Sequence, residues 1–459
     1  MWLIFVQPAV GRKTGGAVYP KTWIMEPLWV ATIAALLPKD CERTLMDDRL
    51  GEVDCTADAD AVFISTECYT AKRSYEIADR FRARGVKVLL GGFHATLNPE
   101  EAAEHADALM MGSCENYWQE FWSDLVAGTL KPRYLSDRPP TFGPMPDRSV
   151  FGTRDYGPLC LVETARGCRL RCDFCSICKF FRRSYTPRAI EDVVAEIRTL
   201  RRRYFFFVDD NLAMDVARLK ALCRAVAPLK RRWVAQLGLN VADDEDTLAL
   251  LNRSGCEGVL IGFESLSPDT LRKMGKDVNR VRADYARAVA NLRKHHISVY
   301  ATFVFGYDDD TPETFRTVYD FALRNKFFFA AFNHLVPFPG TDVYDRLKAE
   351  GRLLSEKWWL DPAFTFGDVV FRPKRMSPEE LSGLCQEHRL KFYSPLSILR
   401  RFLDFGCNAH GLTKAMVFLA SNFGQEREVV RRRGLPWGGD PQKLKEITCL
   451  ANQTLFRRS

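Results

Sequence analysis

The segment Ala165-Arg166-Gly167-Cys168-Arg169-Leu170-Arg171-Cys172-Asp173-Phe174-Cys175 is the most informative stretch of the sequence. Its C-x3-C-x2-C spacing lets one loop wrap around three irons of a 4Fe–4S cluster, which leaves the fourth iron without a protein ligand. A small molecule with an amine and a carboxylate can chelate that open iron. Cys178 forms a further C-x2-C pair with Cys175, so a structural zinc site or a cluster with four cysteine ligands is the alternative.

The cysteine loop follows the first strand of a series in which strands and helices alternate. The sequence predicts strands at 159–164, 204–208, 233–239, 258–263, 298–305 and 328–336. Six such units are too few for a closed eight-unit barrel, so they predict a partial (β/α)6 barrel with its functional loops at the carboxyl ends of the strands. We assign this barrel to residues 159–345.

The N-terminal residues alternate in the same way. Short apolar runs at 2–6, 44–46, 61–65, 87–90 and 108–111 are separated by helical patterns. This order predicts parallel strands joined by crossover helices in a doubly wound, Rossmann-like α/β domain, which we place at 1–135. Prolines and glycines mark 136–158 as a linker. From about residue 346 to 459 the pattern becomes mostly helical and, towards the end, basic.

Composition restricts the class of protein. The 459 residues are 46% hydrophobic and carry a net charge of +8, which excludes a disordered chain and gives no argument for nucleic acid. No apolar run approaches the roughly 20 residues of a membrane-spanning helix. The N-terminus lacks a secretory signal, and the fourteen cysteines do not resemble the disulfide framework of a small secreted domain. We therefore expect a cytoplasmic protein that binds no nucleic acid.

The cysteine spacing, the aromatic Phe174 before the last cysteine and the position after a barrel's first strand resemble the radical S-adenosylmethionine (SAM) superfamily. The resemblance covers roughly residues 155–345. It implies that Cys168, Cys172 and Cys175 hold a 4Fe–4S cluster and that SAM chelates the open iron. One electron then cleaves SAM to a 5′-deoxyadenosyl radical. The cofactor supplies the chemistry, and the protein positions it.

Further matches to the same family occur in order along the barrel. They imply SAM contacts at polar residues after the second strand and at the end of the fourth strand, in addition to the aromatic residue of the cysteine loop. Each such segment by itself could be a turn or a helix cap. The SAM-binding residues implied by the resemblance are Phe174, Asp210, Asn211, Glu264 and Ser265.

The loop from Gly91 to Glu101 resembles the corresponding loop of cobalamin-binding domains fused to radical enzymes. The usual acidic sequel is replaced here by Gly112-Ser113-Cys114-Glu115, and residues 47–51 contain no histidine that could bind cobalt from below. His94 is a candidate pocket residue that could equally be a hydrogen-bonded structural histidine. The implied cobalamin-binding residues are Ser65, Thr66, Gly91, Gly92, His94, Gly112 and Ser113.

Three functions are compatible with these resemblances. The first is a cobalamin-dependent radical SAM C-methyltransferase that methylates an unactivated carbon of a hydrophobic or natural-product-type small molecule, through methylcobalamin and the 5′-deoxyadenosyl radical. The second is an oxidative cyclase or other rearrangement of a tetrapyrrole-like substrate. The third is a non-catalytic cobalamin- or metal-sensing module with a four-cysteine site. We favour the methyltransferase.

The expected partners follow from the cofactors and the charge pattern. A radical SAM cluster implies a ferredoxin- or flavodoxin-like electron donor and a reducing compartment. Residues 400–459 hold eleven Lys and Arg against five Asp and Glu. These basic helices predict a solvated face, and the alternatives are a peripheral contact with a membrane surface or with an acidic substrate.

Overall fold

A computed structural model describes residues 1–11, 24–154, 156–276 and 284–439. The described residues divide into two units. The first comprises 1–154, 355–367 and 432–439, and the second comprises 156–354 and 368–431. Segment 355–367 therefore belongs to the N-terminal unit, although it follows the barrel strands in the chain.

The first unit contains a six-stranded sheet whose neighbouring strands are all parallel. Its order is second, first, third, fourth, fifth and sixth strand, which confirms the predicted doubly wound α/β fold. Strand residues such as Phe5, Phe63 and Leu90 are buried, as expected when helices cover both faces. The strands are β1 (Trp2–Gln7), β2 (Glu42–Asp47), β3 (Ala61–Ser65), β4 (Lys87–Gly91), β5 (Ala108–Met110) and β6 (Arg133–Tyr134).

Five α-helices connect these strands. The third begins directly after Gly92, in a segment that the sequence predicts only as a loop, and the fourth begins at Pro99, whose fixed φ suits the first turn of a helix. The sequence also misses the two-residue strand β6, which is too short to show a hydrophobic period. The helices are α1 (Leu28–Leu36), α2 (Ala71–Arg82), α3 (Phe93–Leu97), α4 (Pro99–Ala103) and α5 (Trp118–Ala127).

The second unit contains a six-stranded parallel sheet and a small antiparallel pair, β8–β9. In the large sheet each strand pairs with the next one in the chain, and the first and last strands are not paired with each other. This arrangement confirms the predicted partial barrel. The strands are β7 (Cys160–Val162), β8 (Ala165–Arg166), β9 (Thr186–Pro187), β10 (Tyr204–Phe207), β11 (Arg232–Gln236), β12 (Cys256–Glu264), β13 (Ser298–Phe305) and β14 (Phe329–His334).

Helices cover the outer face of the barrel sheet, and aromatic side chains fill the space between. Phe263, Phe303 and Phe327 are fully buried, and their rings are within van der Waals reach of one another. The helices in this layer are α6 (Ser176–Phe180), α7 (Ile190–Thr199), α8 (Val216–Val226), α9 (Glu245–Arg253), α10 (Pro268–Lys273), α11 (Tyr285–Lys294), α12 (Pro312–Arg324) and α13 (Asp342–Ala349).

Four further helices follow: α14 (Pro378–Phe392), α15 (Pro395–Phe402), α16 (Leu412–Phe423) and α17 (Gln425–Arg432). Helix α14 packs on β14, where the Tyr393 hydroxyl at its end donates to the carbonyl oxygen of Ala330. In the described part of the chain, no helix has both the length and the apolar character needed to cross a bilayer.

Candidate active site

The cysteine loop, residues 167–185, is closed at its base by the β8–β9 pair. Gly167 has a φ of +85°, and a Cβ atom there would lie 2.3 Å from the carbonyl oxygen of Ser184. Only glycine therefore fits where the two ends of the loop meet. Within the loop, Cys168 and Cys172 are buried, and Cys175 is half-buried just before α6.

The protonation of the loop thiols depends on their surroundings. Burial raises the pKa of Cys168 and raises that of Cys172 to about 12. A hydrogen bond with the Cys178 side chain lowers the pKa of Cys175 to about 7. The carbonyl oxygen of Leu170, 3.0 Å from the Cys178 sulfur, is the alternative acceptor for the single hydrogen of that thiol. Cys175 is therefore the thiol that most readily becomes a thiolate, and Cys178 supports the loop from beside it.

The three predicted cluster ligands lie close enough to influence one another's charge. Among the described residues, no group of three or more His, Cys, Asp or Glu side chains converges on a point that could hold one metal ion. A tetrahedral zinc site requires that convergence, whereas the ligands of a cubane bind three different irons. The spacing of Cys168, Cys172 and Cys175 along one loop suits the three irons of such a cluster.

Glu264, at the end of β12, has an unusual backbone conformation. Its φ is +62°, and the register with β13 shifts beside it. A non-glycine residue in this region carries strain that is typically found at functional sites. Its Oε1 pairs with Lys276 Nζ at 3.0 Å. A Cβ atom on Gly262 would lie 2.1 Å from the same Oε1, so glycine at 262 makes room for the carboxylate.

Lys276 carries a positive charge to the cysteine loop. The preceding Gly275 packs against the loop backbone, where a Cβ atom would lie 2.4 Å from the carbonyl oxygen of Arg171. Burial opposes the charge of Lys276, but Glu264 and the Cys172 thiol raise its pKa above the usual value. The ammonium in turn favours the thiolate form of Cys172. Sequence analysis missed this residue because a lysine after a short helix carries no distinctive pattern.

Two carboxylates after β10 face the base of the cysteine loop. Asp209 accepts hydrogen bonds from the backbone and hydroxyl of Thr164, at 2.7 and 2.6 Å, and burial raises its pKa to about 7. Asp210 accepts from the Gly167 N–H at 2.9 Å, and burial raises its pKa to about 6. A carboxylate can accept about four hydrogen bonds, so Asp210 keeps capacity for a ligand amine.

The other implied SAM-binding residues have contacts within the protein. The Asn211 side-chain oxygen accepts from the Gly238 N–H at 3.0 Å, which ties the loops after β10 and β11 together. The Ser265 hydroxyl accepts from the Ser267 N–H at 3.1 Å, ahead of α10. Phe174 packs against the barrel core. Asn211 and Ser265 therefore brace the backbone next to Asp210 and Glu264.

The loops after the last two barrel strands hold the cysteine loop in place. The Tyr307 hydroxyl donates to Asp173 Oδ1 at 2.6 Å, and the Val343 N–H donates to the Asp173 carbonyl at 3.1 Å. Asp310 fixes the first of these loops by accepting from the N–H groups of Gly306 and Tyr307. The carboxyl-end loops of the barrel therefore surround the cysteines, as expected for a barrel enzyme.

The predicted cobalamin-binding loops of the first unit meet where β3 and β4 end. Ser65 lies opposite Gly91 in the strand register, and the Thr66 N–H donates to the Gly91 carbonyl at 2.7 Å. Gly92 has a φ of +95°, and a Cβ atom there would lie 2.8 Å from the Thr66 carbonyl oxygen. The Thr66 hydroxyl is buried with no hydrogen-bond partner among the described residues. A ligand hydrogen bond at this edge would satisfy it.

The third predicted loop of the first unit is attached to the same edge. The Gly112 N–H donates to the Thr96 hydroxyl at 3.0 Å, and that hydroxyl donates to the Gly92 carbonyl at 2.8 Å. Ser113 follows, half-buried, at the start of a single 3₁₀ turn. The residues predicted after β3, β4 and β5 are thus brought together by main-chain and hydroxyl hydrogen bonds.

His94 is enclosed by its own unit. Its ring is buried, and Nε2 lies 3.1 Å from Glu101 Oε1. Glu101 also accepts from Trp359 Nε1 at 2.8 Å and pairs with Lys357 at 3.2 Å. Burial would raise the pKa of Glu101, but these partners lower it to about 2. Through Glu101, His94 therefore belongs to a network that holds segment 355–367 within the first unit, a role that sequence analysis could not assign because Trp359 is distant in the chain.

The Radical SAM superfamily profile matches residues 162–322. Bacteriochlorophyllide d C-12(1)-methyltransferase of Chlorobaculum tepidum is 32% identical over 87% of this chain and 89% of its own length. Bacteriochlorophyllide d C-8(2)-methyltransferase of the same organism is 28% identical over 72% of this chain and 77% of its own length. The solved structure of the methyltransferase TsrM from Kitasatospora setae, with cobalamin and a [4Fe-4S] cluster bound, shares the fold with a TM-score of 0.65. The two chains are 15% identical, and the match covers 94% of this chain and 99% of TsrM.

Proposed function

The chain belongs to the radical SAM superfamily, and from that premise we propose that it is a cobalamin-dependent C-methyltransferase acting on a flat, hydrophobic tetrapyrrole. The likeness to the C-12(1)-methyltransferase carries the proposal. It spans 87% of the chain, so it must include part of the first unit as well as the barrel. A likeness confined to the barrel would support radical chemistry alone.

The barrel residues would hold the cluster and SAM. We assign the cluster to Cys168, Cys172 and Cys175, the SAM amine to Asp210, and a SAM hydroxyl or amine to Glu264. When bound, the cluster and SAM supply a 5′-deoxyadenosyl radical, and cobalamin supplies the methyl group. Lys276 keeps Glu264 in place and offsets the negative charge that three thiolates bring to a buried site. No classical general base is required for abstraction of a hydrogen atom.

The first unit would hold the cobalamin. Its glycine edge lets a large ligand approach the backbone, and Thr66 offers a buried hydroxyl without a partner in the described chain. The Nε2 atom of His94 is engaged by Glu101. We therefore propose that cobalt has no ligand from His94, and that this histidine acts by keeping the loop after β4 in position.

The substrate class rests on what the relatives act upon. Both are named for bacteriochlorophyllide d, a chlorin, so we propose a chlorin-type small molecule with an unactivated alkyl carbon as acceptor. The electron would come from a ferredoxin- or flavodoxin-like donor, because a buried cluster of this type needs a low-potential partner.

The test is anaerobic reconstitution with iron, sulfide and hydroxocobalamin, followed by incubation with dithionite, bacteriochlorophyllide d and SAM carrying a deuterated methyl group. We expect 5′-deoxyadenosine together with a deuterated methyl group in the chlorin. Release of 5′-deoxyadenosine with an oxidised, unmethylated product would instead identify a cyclase. Absence of both 5′-deoxyadenosine and product would contradict the proposal.

Matched cysteine variants separate the cluster from general stability. Cys172→Ala should lose the cluster absorbance and all 5′-deoxyadenosine formation. Cys223→Ala removes a thiol that is equally buried, in α8, and should retain both. Cys178→Ala should also retain the cluster, because we assign it no iron. Loss of the cluster in Cys178→Ala would show that the site has four cysteine ligands.

A further inference from the structure

The C-terminal helices of the second unit expose an unusual amount of apolar surface. Nine of the fourteen large hydrophobic side chains that are exposed in the described chain lie within 396–430. They include Phe405, 70% exposed, and Leu412, 77% exposed. We call this set the apolar face: Leu396, Leu399, Leu403, Phe405, Leu412, Met416, Val417, Phe423 and Val430.

Five residues of the apolar face follow the helical period. On α15 and just beyond it, Leu396, Leu399 and Leu403 are spaced i, i+3 and i+7, which places them on one side of the helix. On α16, Leu412 and Met416 are spaced i and i+4. The two helices pack together through the rings of Phe402 and Phe418, 6.0 Å apart, so the exposed residues are not the ones that join them.

Polar contacts hold α16 and the segment before it against the barrel. Arg293 donates to the carboxylate of Asp404 at 2.9 and 3.1 Å. Lys414 Nζ donates to the carbonyl oxygen of Glu257 at 3.1 Å, and the Asn408 side chain donates to that of Lys326 at 2.8 Å. The segment between α15 and α16 is therefore fixed in place with Phe405 facing solvent, rather than left to fold back on the core.

The charge around the apolar face is positive. Residues 391–431 of the second unit contain six Lys and Arg and three Asp and Glu. Arg400, Arg427 and Arg431 are exposed. Glu426 is the one exposed acidic residue in this range, and Asp404 is neutralised by Arg293. Helices that lie in the interface of an anionic bilayer typically combine leucine and phenylalanine with arginine.

We propose that the apolar face is a membrane-docking surface that inserts into the headgroup region of an anionic lipid bilayer. Its positive charge favours that occupant over a second copy of the chain, because two copies meeting through the same face would bring like charges together. Such a surface would keep the enzyme at the membrane, where hydrophobic substrates partition. The proposal does not depend on the identity of the substrate.

Flotation of the full-length protein with vesicles tests the proposal. We use phosphatidylcholine vesicles with and without phosphatidylglycerol, at low and high salt. The protein should float only with the anionic vesicles, and less at high salt. Phe405→Ser/Leu412→Ser should weaken binding about tenfold or more, and Arg400→Gln about fivefold. The matched control is Val126→Ser, which removes an apolar side chain that is 59% exposed on α5 of the other unit.

Three results would overturn the proposal. The first is that the wild-type protein does not float with anionic vesicles. The second is that Phe405→Ser/Leu412→Ser binds as well as the wild-type protein and Val126→Ser do. The third is that sedimentation equilibrium shows a dimer that Phe405→Ser/Leu412→Ser dissociates, which would make the face a self-interface. Since the substituted side chains are exposed, unchanged thermal unfolding of each variant confirms that a loss of binding is not a loss of fold.

Discussion

Substitution of Gly262 by alanine tests whether the carboxylate of Glu264 must occupy its observed position. The added Cβ atom would lie 2.1 Å from Glu264 Oε1 and 3.2 Å from Lys276 Nζ. Since carbon and oxygen do not approach within 3.0 Å, the carboxylate must retreat by about 1 Å. Overpacking of this kind destabilises a fold by about 1–3 kcal/mol, and a 1 Å displacement of a positioning group lowers turnover about 100-fold.

The assay compares the reconstituted variant with the wild-type protein in three measurements: iron content, SAM affinity and 5′-deoxyadenosine formation. We expect full iron content, weakened SAM binding and about 100-fold slower formation of 5′-deoxyadenosine. Gly383→Ala is the matched control, because a Cβ atom there meets nothing within 4 Å. Alanine inside α14 should stabilise that helix by up to about 1 kcal/mol and leave turnover unchanged.

A double variant distinguishes the clash from other effects. Glu264→Ala removes the atom with which the new Cβ atom collides, so adding Gly262→Ala to it should change the free energy of unfolding by less than about 0.5 kcal/mol. If Gly262→Ala instead costs the same with and without Glu264, the clash does not cause the defect. Wild-type SAM affinity in Gly262→Ala would refute the assigned position of the carboxylate.

Three further predictions concern single residues of the two units. Burial raises the pKa of Asp209 from 3.8 to about 7, so its protonation stabilises the folded state as the pH falls through 7 towards 4. Asp209→Asn should flatten the loss of stability between pH 5 and pH 8 by up to about 3 kcal/mol in urea unfolding, and an unchanged slope would contradict this. Gly167→Ala should lower the iron bound per chain severalfold, because its Cβ atom would lie 2.3 Å from the Ser184 carbonyl oxygen, and full iron content would show that the loop can open at no cost. Gly92→Ala should release hydroxocobalamin during desalting at least tenfold faster than the wild-type protein does. It should leave 5′-deoxyadenosine formation intact, because the clash with Thr66 is confined to the first unit. Retention of the corrin spectrum in this variant would argue against a cobalamin site at this edge.

The parallel sheets could be predicted because their strands carry strong local signals. The run Ala61–Ser65 is apolar up to its last residue, and the predicted bounds of that strand are those of the structure. Short elements were missed for the opposite reason: β6 and the β8–β9 pair have two residues per strand, fewer than a hydrophobic period needs to appear. Helix α3 was missed because a glycine-rich segment reads as a turn.

The sequence by itself determined the cysteine spacing, the alternating strands and helices, and the position of the loops at the ends of the strands, because these depend on residues close together in the chain. Only the tertiary structure decided that Lys276 faces Glu264 and the cysteine loop, and that Trp359 and Lys357 engage Glu101 beside His94. Such partners are separated by up to 258 residues and carry no shared period or spacing. Their pairing follows from burial, which makes an isolated carboxylate costly and so requires a donor from whatever part of the chain the fold brings near.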